Sequence, residues 1–178
     1  MRILGGSARG RVFTPPTVLR LRPTTDRARE SLFQLIENQG GLQGQSVLDL
    51  CCGTGSIGLE CASRGAHKVI CIDIQPRALS FIAQTAREFD WPLETLRADV
   101  IRFLRNPGPQ RYNFVFADPP YEARFLPELP HRIQESGVLQ PNGLFILEHG
   151  PRHKPLPHPG LEMERTYGHV HFSFYRFG

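Results

Sequence analysis

The sequence predicts an α/β protein with a mostly parallel central sheet, an antiparallel strand pair at its end and a small N-terminal β-hairpin. From residue 46 onward, short apolar runs of strand length alternate with amphipathic segments of helical length. Val170, Phe172 and Phe174 alternate with more polar neighbours, which is typical of a half-buried antiparallel strand. Strands that alternate with helices imply a parallel sheet covered by helices on both faces.

The first 23 residues form a segment of their own. Two short extended runs, at residues 2–4 and 11–13, flank a glycine-rich stretch and predict a hairpin. Prolines keep the chain that follows extended as a linker. We therefore expect a basic hairpin and linker over residues 1–23 and one main domain over residues 24–178.

Local features support the elements of the main domain. Thr24 or Thr25 can cap the first helix, because a threonine hydroxyl accepts backbone amides at a helix start. Gly65 is suited to end the second helix, and Pro76 to begin the third. The predicted strands are 46–50, 69–73, 93–98, 112–117, 143–147, 161–167 and 170–175. The predicted helices are 27–36, 57–63, 76–89, 100–105 and one over 129–138.

Composition excludes several classes of protein. The chain has 178 residues, 40% of them hydrophobic and 21% charged, which is ordinary for a folded domain. It has no apolar run of membrane-spanning length and no signal-peptide start. Its four cysteines form no Cys-x-x-Cys pair, and its seven histidines complete no ligand set. We expect a cytoplasmic monomer with reduced thiols, no metal and no membrane partner.

Carboxylates follow four successive strands of the predicted sheet. Asp49, Asp73, Asp99 and Asp118 stand at or just beyond the carboxyl ends of the first four strands. Ligands of such sheets bind beyond those ends, so we expect the four side chains to converge on one site. Glu148, at the end of the fifth strand, is either structural or lines the same pocket.

The turn after the first strand carries Gly53-x-Gly55-x-x-Gly58, which by itself suits a dinucleotide or another nucleoside ligand. Asp49 distinguishes them, because its charge disfavours a pyrophosphate and favours a cation such as S-adenosylmethionine. Asp73 would then accept from ribose hydroxyls and Asp99 from the adenine amine. The predicted cofactor-binding residues are Asp49, Cys51, Gly53, Thr54, Gly55, Asp73, Ile74, Asp99 and Val100.

Asp118-Pro119-Pro120-Tyr121 leaves the fourth strand as a rigid loop, since each proline fixes its φ angle. An exocyclic amine on a base is a poor nucleophile and needs acceptors for its hydrogens. The Asp118 carboxylate and the Pro119 carbonyl are such acceptors. Tyr121 offers a ring for stacking the base, an interaction of about 1–3 kcal/mol. We expect these four residues to form the catalytic loop.

The combination of Asp49-x-x-x-Gly-x-Gly with Asp118-Pro-Pro-Tyr resembles class I S-adenosylmethionine-dependent methyltransferases that modify exocyclic amines, which have a Rossmann-like sheet. Three front motifs, within residues 1–6, 10–11 and 22–33, are similar to the bacterial RsmD family. That resemblance implies methyl transfer to guanine N2 in small-subunit (16S) ribosomal RNA. The sequence departs from the family pattern at Gln84 and at the Cys51-Cys52 pair.

The resemblance also gives a role to the charge distribution. Residues 1–30 hold seven arginines against two acids, a net charge of +5, whereas residues 31–178 hold 14 basic and 15 acidic side chains, a net charge of −1. The basic segment would contact phosphates of 16S ribosomal RNA, or of the small subunit, beside the active site. The predicted RNA-binding residues are Arg2, Arg9, Arg11, Arg20, Arg22 and Arg27.

Two alternatives remain open at this stage. Adenine-N6 methyltransferases of DNA or RNA share the Asp-Pro-Pro-Tyr motif, although this chain has no room for a large DNA-recognition domain. The second alternative is a nucleotide- or RNA-binding module without catalysis.

Overall fold

The computed structural model describes residues 1–16 and 25–177, and its main body is a single seven-stranded sheet. The strands are β1 (Ser46–Leu50), β2 (Lys68–Asp73), β3 (Leu93–Arg97), β4 (Tyr112–Ala117), β5 (Leu139–His149), β6 (Leu161–Tyr167) and β7 (Val170–Tyr175). The helices are α1 (Asp26–Glu37), α2 (Ser56–Ser63), α3 (Pro76–Glu88), α4 (Val100–Arg105) and α5 (Leu129–Ser136).

The sheet order is β3-β2-β1-β4-β5-β7-β6. Strands β1 to β5 run parallel, and β7 inserts antiparallel between β5 and β6. The predicted fold class is confirmed. After β3 the chain crosses to the other side of β1 and enters β4, so the strand order reverses between β1 and β4. Such a reversal opens a crevice at the carboxyl ends of the strands.

Each face of the sheet has its own apolar core. Val47, Val69 and Phe116 belong to the core beneath α1, α2 and α3. Residues one position further along the strands, such as Leu48 and Ile70, belong to the core beneath α4 and α5. This alternation follows the two-residue period of a strand. It places the side chain of Asp49, two residues after Val47, on the face covered by α2.

The N-terminal hairpin, residues 1–13, packs against α2. Arg2 and Val12 form an antiparallel bridge, and the tip is a short 3₁₀ turn. The Leu4 amide donates to Glu60 Oε2 over 2.7 Å, and the Ala8 amide donates to Ser63 Oγ over 3.0 Å. Buried polar partners therefore hold the hairpin on the main body. The expected domain boundary at residues 23 and 24 lies outside the described residues.

Arg29 differs from the expectation for the basic segment, because it is only 1% exposed. Its guanidinium donates to Asp26 Oδ1 over 2.8 Å and to the Arg2 carbonyl over 2.7 Å. It also reaches the carbonyl of Ser56, the first residue of α2, over 3.4 Å. One of the seven arginines in the basic segment thus joins the hairpin, α1 and α2 instead of facing solvent.

The largest boundary error concerns β5, which begins at Leu139 and not at residue 143. Asn142 has a φ of 62°, and the pairing with β4 shifts register between Tyr112 and Phe114. A bulge thus carries the strand through a Pro-Asn-Gly run that, in sequence, is typical of a turn. The predicted Thr25 cap is confirmed, since its hydroxyl accepts from the Ala28 amide. Among the residues described, none of the helices is both long and apolar enough to cross a membrane.

Candidate active site

The four carboxylates lie at one edge of the sheet. Asp73 is the last residue of β2, Asp118 directly follows β4, and Asp99 follows β3 by two residues. Asp49 is the fourth of the five residues of β1. Because these strands are parallel neighbours, their carboxyl ends share the edge at which the strand order reverses. The structure therefore brings the predicted strand ends together.

The turn between β1 and α2 takes a left-handed course. Cys51, Gly53 and Gly55 have φ angles of 56°, 51° and 75°. A Cβ on Gly55 would lie 2.6 Å from Ile82 Cγ1, so no larger residue fits between this turn and α3. The Cys52 amide donates to the Ile72 carbonyl over 3.0 Å, which ties the turn to the end of β2. The backbone of this turn is thus fixed at the predicted cofactor position.

Asp49 lies beneath that turn and is 1% exposed. Its Oδ2 accepts from the Gly58 amide over 2.9 Å, at the start of α2, and lies 4.0 Å from Cys71 Sγ. Burial raises the pKa of Asp49 to about 8; the Gly58 hydrogen bond opposes that shift, and the charge of Asp73 adds to it. The side chain holds the start of α2, and its ionised form would place a negative charge below the turn.

Asp73 connects the glycine turn to α3. Its Oδ2 accepts from the Gly53 amide and its Oδ1 from the Gln75 amide, both over 2.9 Å. Ile74, the next residue, is 62% exposed. An exposed apolar side chain beside a fixed carboxylate suits one face of a nucleoside.

The β3 end contributes residues of two kinds. Asp99 is exposed, and its Oδ1 caps α4 by accepting from the Arg102 amide over 2.9 Å. Val100 is buried in the core beneath α4 and α5. A ligand at this edge can therefore meet the Asp99 side chain but only the backbone of Val100. Cys51, Gly53 and Thr54 are half-buried at the same edge.

The Asp118–Tyr121 loop is attached to β1, since the Asp118 amide donates to the Leu50 carbonyl over 3.3 Å. Pro119 is buried and Pro120 is exposed. The Tyr121 hydroxyl donates to Glu148 Oε1 over 3.3 Å. The Tyr121 ring lies against the backbone of Gly150, where an added Cβ would be 2.6 Å from Cδ2. The loop and the glycine turn thus flank the same crevice.

Glu148, which the sequence left as either structural or lining the pocket, is a residue of this site. It lies in β5 and is 3% exposed. Burial raises the pKa of Asp118 well above its ordinary value. The negative charges of Glu148 and Asp49 add smaller contributions in the same direction. The available sequence feature was an acidic residue directly after the apolar run Leu144–Leu147. Its proximity to Asp118 depends on the pairing of β4 with β5, which sequence patterns do not give.

The arginines of the basic segment are spread along the molecule. Arg2, Arg9, Arg11 and Arg27 are exposed, whereas Arg20 and Arg22 lie outside the described residues. The Arg11 guanidinium lies 5.7 Å from the centre of the Phe89 ring, just after α3. Since α3 begins at the site edge and 13 residues of helix span about 20 Å, Arg11 lies at the far end of α3. The sequence had suggested that the basic segment lies beside the active site. Arg11 instead lies away from the strand-end site.

The residues at the edge suit a cationic nucleoside better than a phosphate or a metal. Carboxylates surround the turn, Ile74 offers an apolar surface, and the backbone of the turn is held open by glycines. Across residues 1–16 and 25–177, no cluster of three or more histidine, cysteine, aspartate or glutamate side chains could hold a metal ion. These residues fit S-adenosylmethionine, which carries a sulfonium, an ammonium and an adenosine.

Comparison with known proteins gives consistent similarities. A family model described as "Conserved hypothetical protein 95" matches residues 1–176. The "Ribosomal RNA small subunit methyltransferase D" of Escherichia coli strain K12 is 33% identical over 150 residues, which cover 83% of this chain and 74% of that protein. A solved "Putative methyltransferase yhhF" from Escherichia coli superposes with a TM-score of 0.85 at 26% identity, covering 98% of this chain and 96% of that one.

The fourth similarity concerns the ligand. A solved coclaurine N-methyltransferase, bound to N-methylheliamine and S-adenosylhomocysteine, matches with a TM-score of 0.56 at 26% identity. The match covers 71% of this chain and 36% of that one. Each of these similar proteins is described as a methyltransferase.

Proposed function

We propose a specific reaction for this chain, which belongs to the family described as conserved hypothetical protein 95 and is a methyltransferase that uses S-adenosylmethionine. It methylates the exocyclic N2 of a guanine in small-subunit (16S) ribosomal RNA. The resemblance to the RsmD family inferred from the sequence motifs is confirmed. The observation that carries the proposal is the attachment of the Asp118–Tyr121 loop to Leu50, directly before the glycine turn.

The cofactor lies along the glycine turn in this proposal. Asp73 accepts from its ribose hydroxyls, Asp99 from its adenine amine, and Ile74 contacts the adenine face. The Asp49 carboxylate, beneath the turn, favours the positive charge of the cofactor. When bound, S-adenosylmethionine supplies an electrophilic methyl group on a sulfonium.

The catalytic loop makes the guanine amine nucleophilic. The N2 lone pair is delocalised into the ring, so the nitrogen must become tetrahedral before it can attack. Asp118 and the Pro119 carbonyl accept the two N2 hydrogens and favour that geometry. Because burial and the charge of Glu148 raise the pKa of Asp118, its carboxylate is a stronger base than an ordinary aspartate and takes the proton that N2 loses.

Positioning provides the other contribution. Tyr121 stacks on the guanine, and its ring is fixed by Glu148 at one end and by Gly150 beneath it. The two prolines keep Asp118 and Tyr121 in one relative orientation. Well-oriented reactants gain about 7–11 kcal/mol from proximity alone, so a fixed loop can supply a large share of the rate enhancement.

The RNA substrate is supported by the name of the Escherichia coli relative and by the charge of the basic segment. Arg27 lies in the same helical turn as Arg29, which contacts Ser56 at the start of α2. It is therefore placed to contact RNA near the crevice. Arg9 and Arg11 contact phosphates of RNA that extends along α3. Each phosphate contact adds about 0.7–0.9 to the salt slope of binding.

The test is incubation of the enzyme with undermethylated small ribosomal subunits and radiolabelled S-adenosylmethionine, followed by nucleoside analysis. We expect label in N2-methylguanosine. Label in N6-methyladenosine would overturn the proposal. Asp118→Ala is the control: it should retain affinity for S-adenosylhomocysteine, measured by calorimetry, and lose most of the turnover.

A further inference from the structure

Asp118, which directly follows β4, stands beside Glu148 of the adjacent parallel strand β5. Ala117 of β4 pairs with Leu147 of β5, so the next residue on each strand stands at the same level. Strands in a sheet are about 4.8 Å apart, which sets the separation of the two backbones. Ala117 and Leu147 belong to the core beneath α4 and α5. Because successive residues of a strand point to opposite faces, Asp118 and Glu148 project to the other face of the sheet. Two carboxylates thus lie side by side at the crevice.

The Tyr121 hydroxyl joins this pair, because it donates to Glu148 Oε1 over 3.3 Å. The same bond links the ring proposed to stack the base with the carboxylate beside it. A base stacked on Tyr121 would lie beside Asp118 and Glu148, so one of its edges could face both carboxylates.

The two candidate bases present different edges to such a pair. Guanine carries adjacent donors, the N1–H and the N2 amine. Adenine carries its N6 amine next to N1, which is an unprotonated acceptor. Two adjacent carboxylates match two adjacent donors, whereas adenine N1 would face a carboxylate with no hydrogen between them. A site that leaves a buried polar group unpaired rejects the mismatched ligand strongly.

We propose that Glu148 accepts the N1–H of the target guanine while Asp118 accepts from N2, so that the pair selects guanine over adenine. This inference rests on the proposed methylation of guanine N2 and names the residue responsible for its base specificity. Methyl transfer to an exocyclic amine needs acceptors on that amine alone, which the Asp118–Pro119 segment supplies. Glu148, which is 3% exposed, is the additional acceptor.

The test uses RNA with 2-aminopurine in place of the target guanine. This analogue retains the N2 amine and lacks the N1–H. We expect the wild-type enzyme to prefer guanine by on the order of 100-fold or more in kcat/KM, as expected for loss of one buried hydrogen bond to a charged acceptor. In Glu148→Gln the preference should narrow at least about tenfold, because the new amide can donate to the unprotonated N1.

Matched controls separate specificity from structure. Tyr121→Phe removes the hydroxyl bond to Glu148 and should slow both substrates by a similar factor, leaving the preference unchanged. Glu148→Asp keeps a charged acceptor and should retain more of the preference than Glu148→Gln. Equal losses on both substrates in Glu148→Gln would show a purely structural role and overturn the inference. Wild-type labelling of adenine N6 would instead refute the proposed function on which it rests.

Discussion

The buried Asp49 carboxyl should make cofactor binding release a proton. With a pKa of about 8, Asp49 carries its proton in about nine of ten molecules at pH 7. A cation in the crevice favours the ionised carboxylate and lowers that pKa. Binding of S-adenosylmethionine at pH 7 should therefore release up to about 0.9 proton per site from Asp49. At pH 9 the carboxyl is already ionised, so its contribution should nearly vanish.

Calorimetry measures this release directly. Titrations of S-adenosylmethionine at pH 7 in phosphate and in Tris differ in observed enthalpy by the number of protons released times the difference in buffer ionisation enthalpy. Asp49→Asn should abolish its share of the release and weaken cofactor binding. Asp118→Asn is the necessary comparison, because burial and the charge of Glu148 also raise the pKa of Asp118.

Two results would refute this reasoning. Equal enthalpies in the two buffers at pH 7 would mean that Asp49 does not respond to the cofactor charge. A release that persists unchanged in Asp49→Asn would assign the proton to another group. In either case Asp49 would serve only to hold the start of α2.

Two glycine substitutions test the packing around the site. Gly150→Ala should displace the Tyr121 ring, because the new Cβ would lie 2.6 Å from Cδ2. We expect turnover to fall roughly 10–100-fold, while affinity for S-adenosylhomocysteine in calorimetry stays unchanged. Gly58→Ala places a Cβ 2.3 Å from Cys71 Sγ and should lower the free energy of unfolding by about 1–3 kcal/mol in urea titrations. Adding Cys71→Ala to Gly58→Ala should restore most of the lost free energy of unfolding. If the losses of the two single variants simply add in the double variant, the packing explanation is contradicted.

The order of strands and helices was predictable because hydrophobic period and turn residues are local properties. The β5 boundary was not, since the bulge at Asn142 is stabilised by pairing with β4, which no local pattern reveals. Arg29 shows the same limit. Its position in α1 is visible in sequence, but its burial depends on carbonyls of the hairpin and of α2.

The site was predictable to the level of strand ends. Because parallel strands bring their carboxyl ends to one edge, counting residues was enough to group Asp49, Asp73, Asp99 and Asp118. Side-chain direction was not obtainable in this way. Asp49 faces Gly58 instead of the open crevice. Glu148 joins Asp118 only because β5 lies beside β4 in the sheet. The assigned roles of these residues remain predictions.

The docking of the N-terminal hairpin has a consequence for protein synthesis. Leu4 and its partner Glu60 are 56 residues apart, and Ser7 and its partner Trp91 are 84 residues apart. At a translation rate of about 5–20 residues per second, Glu60 is made about 3–11 s after Leu4. During that interval a nascent chain therefore carries the hairpin without its contacts to α2. The segment made first therefore waits for α2 and the end of α3 before it can dock on the main body.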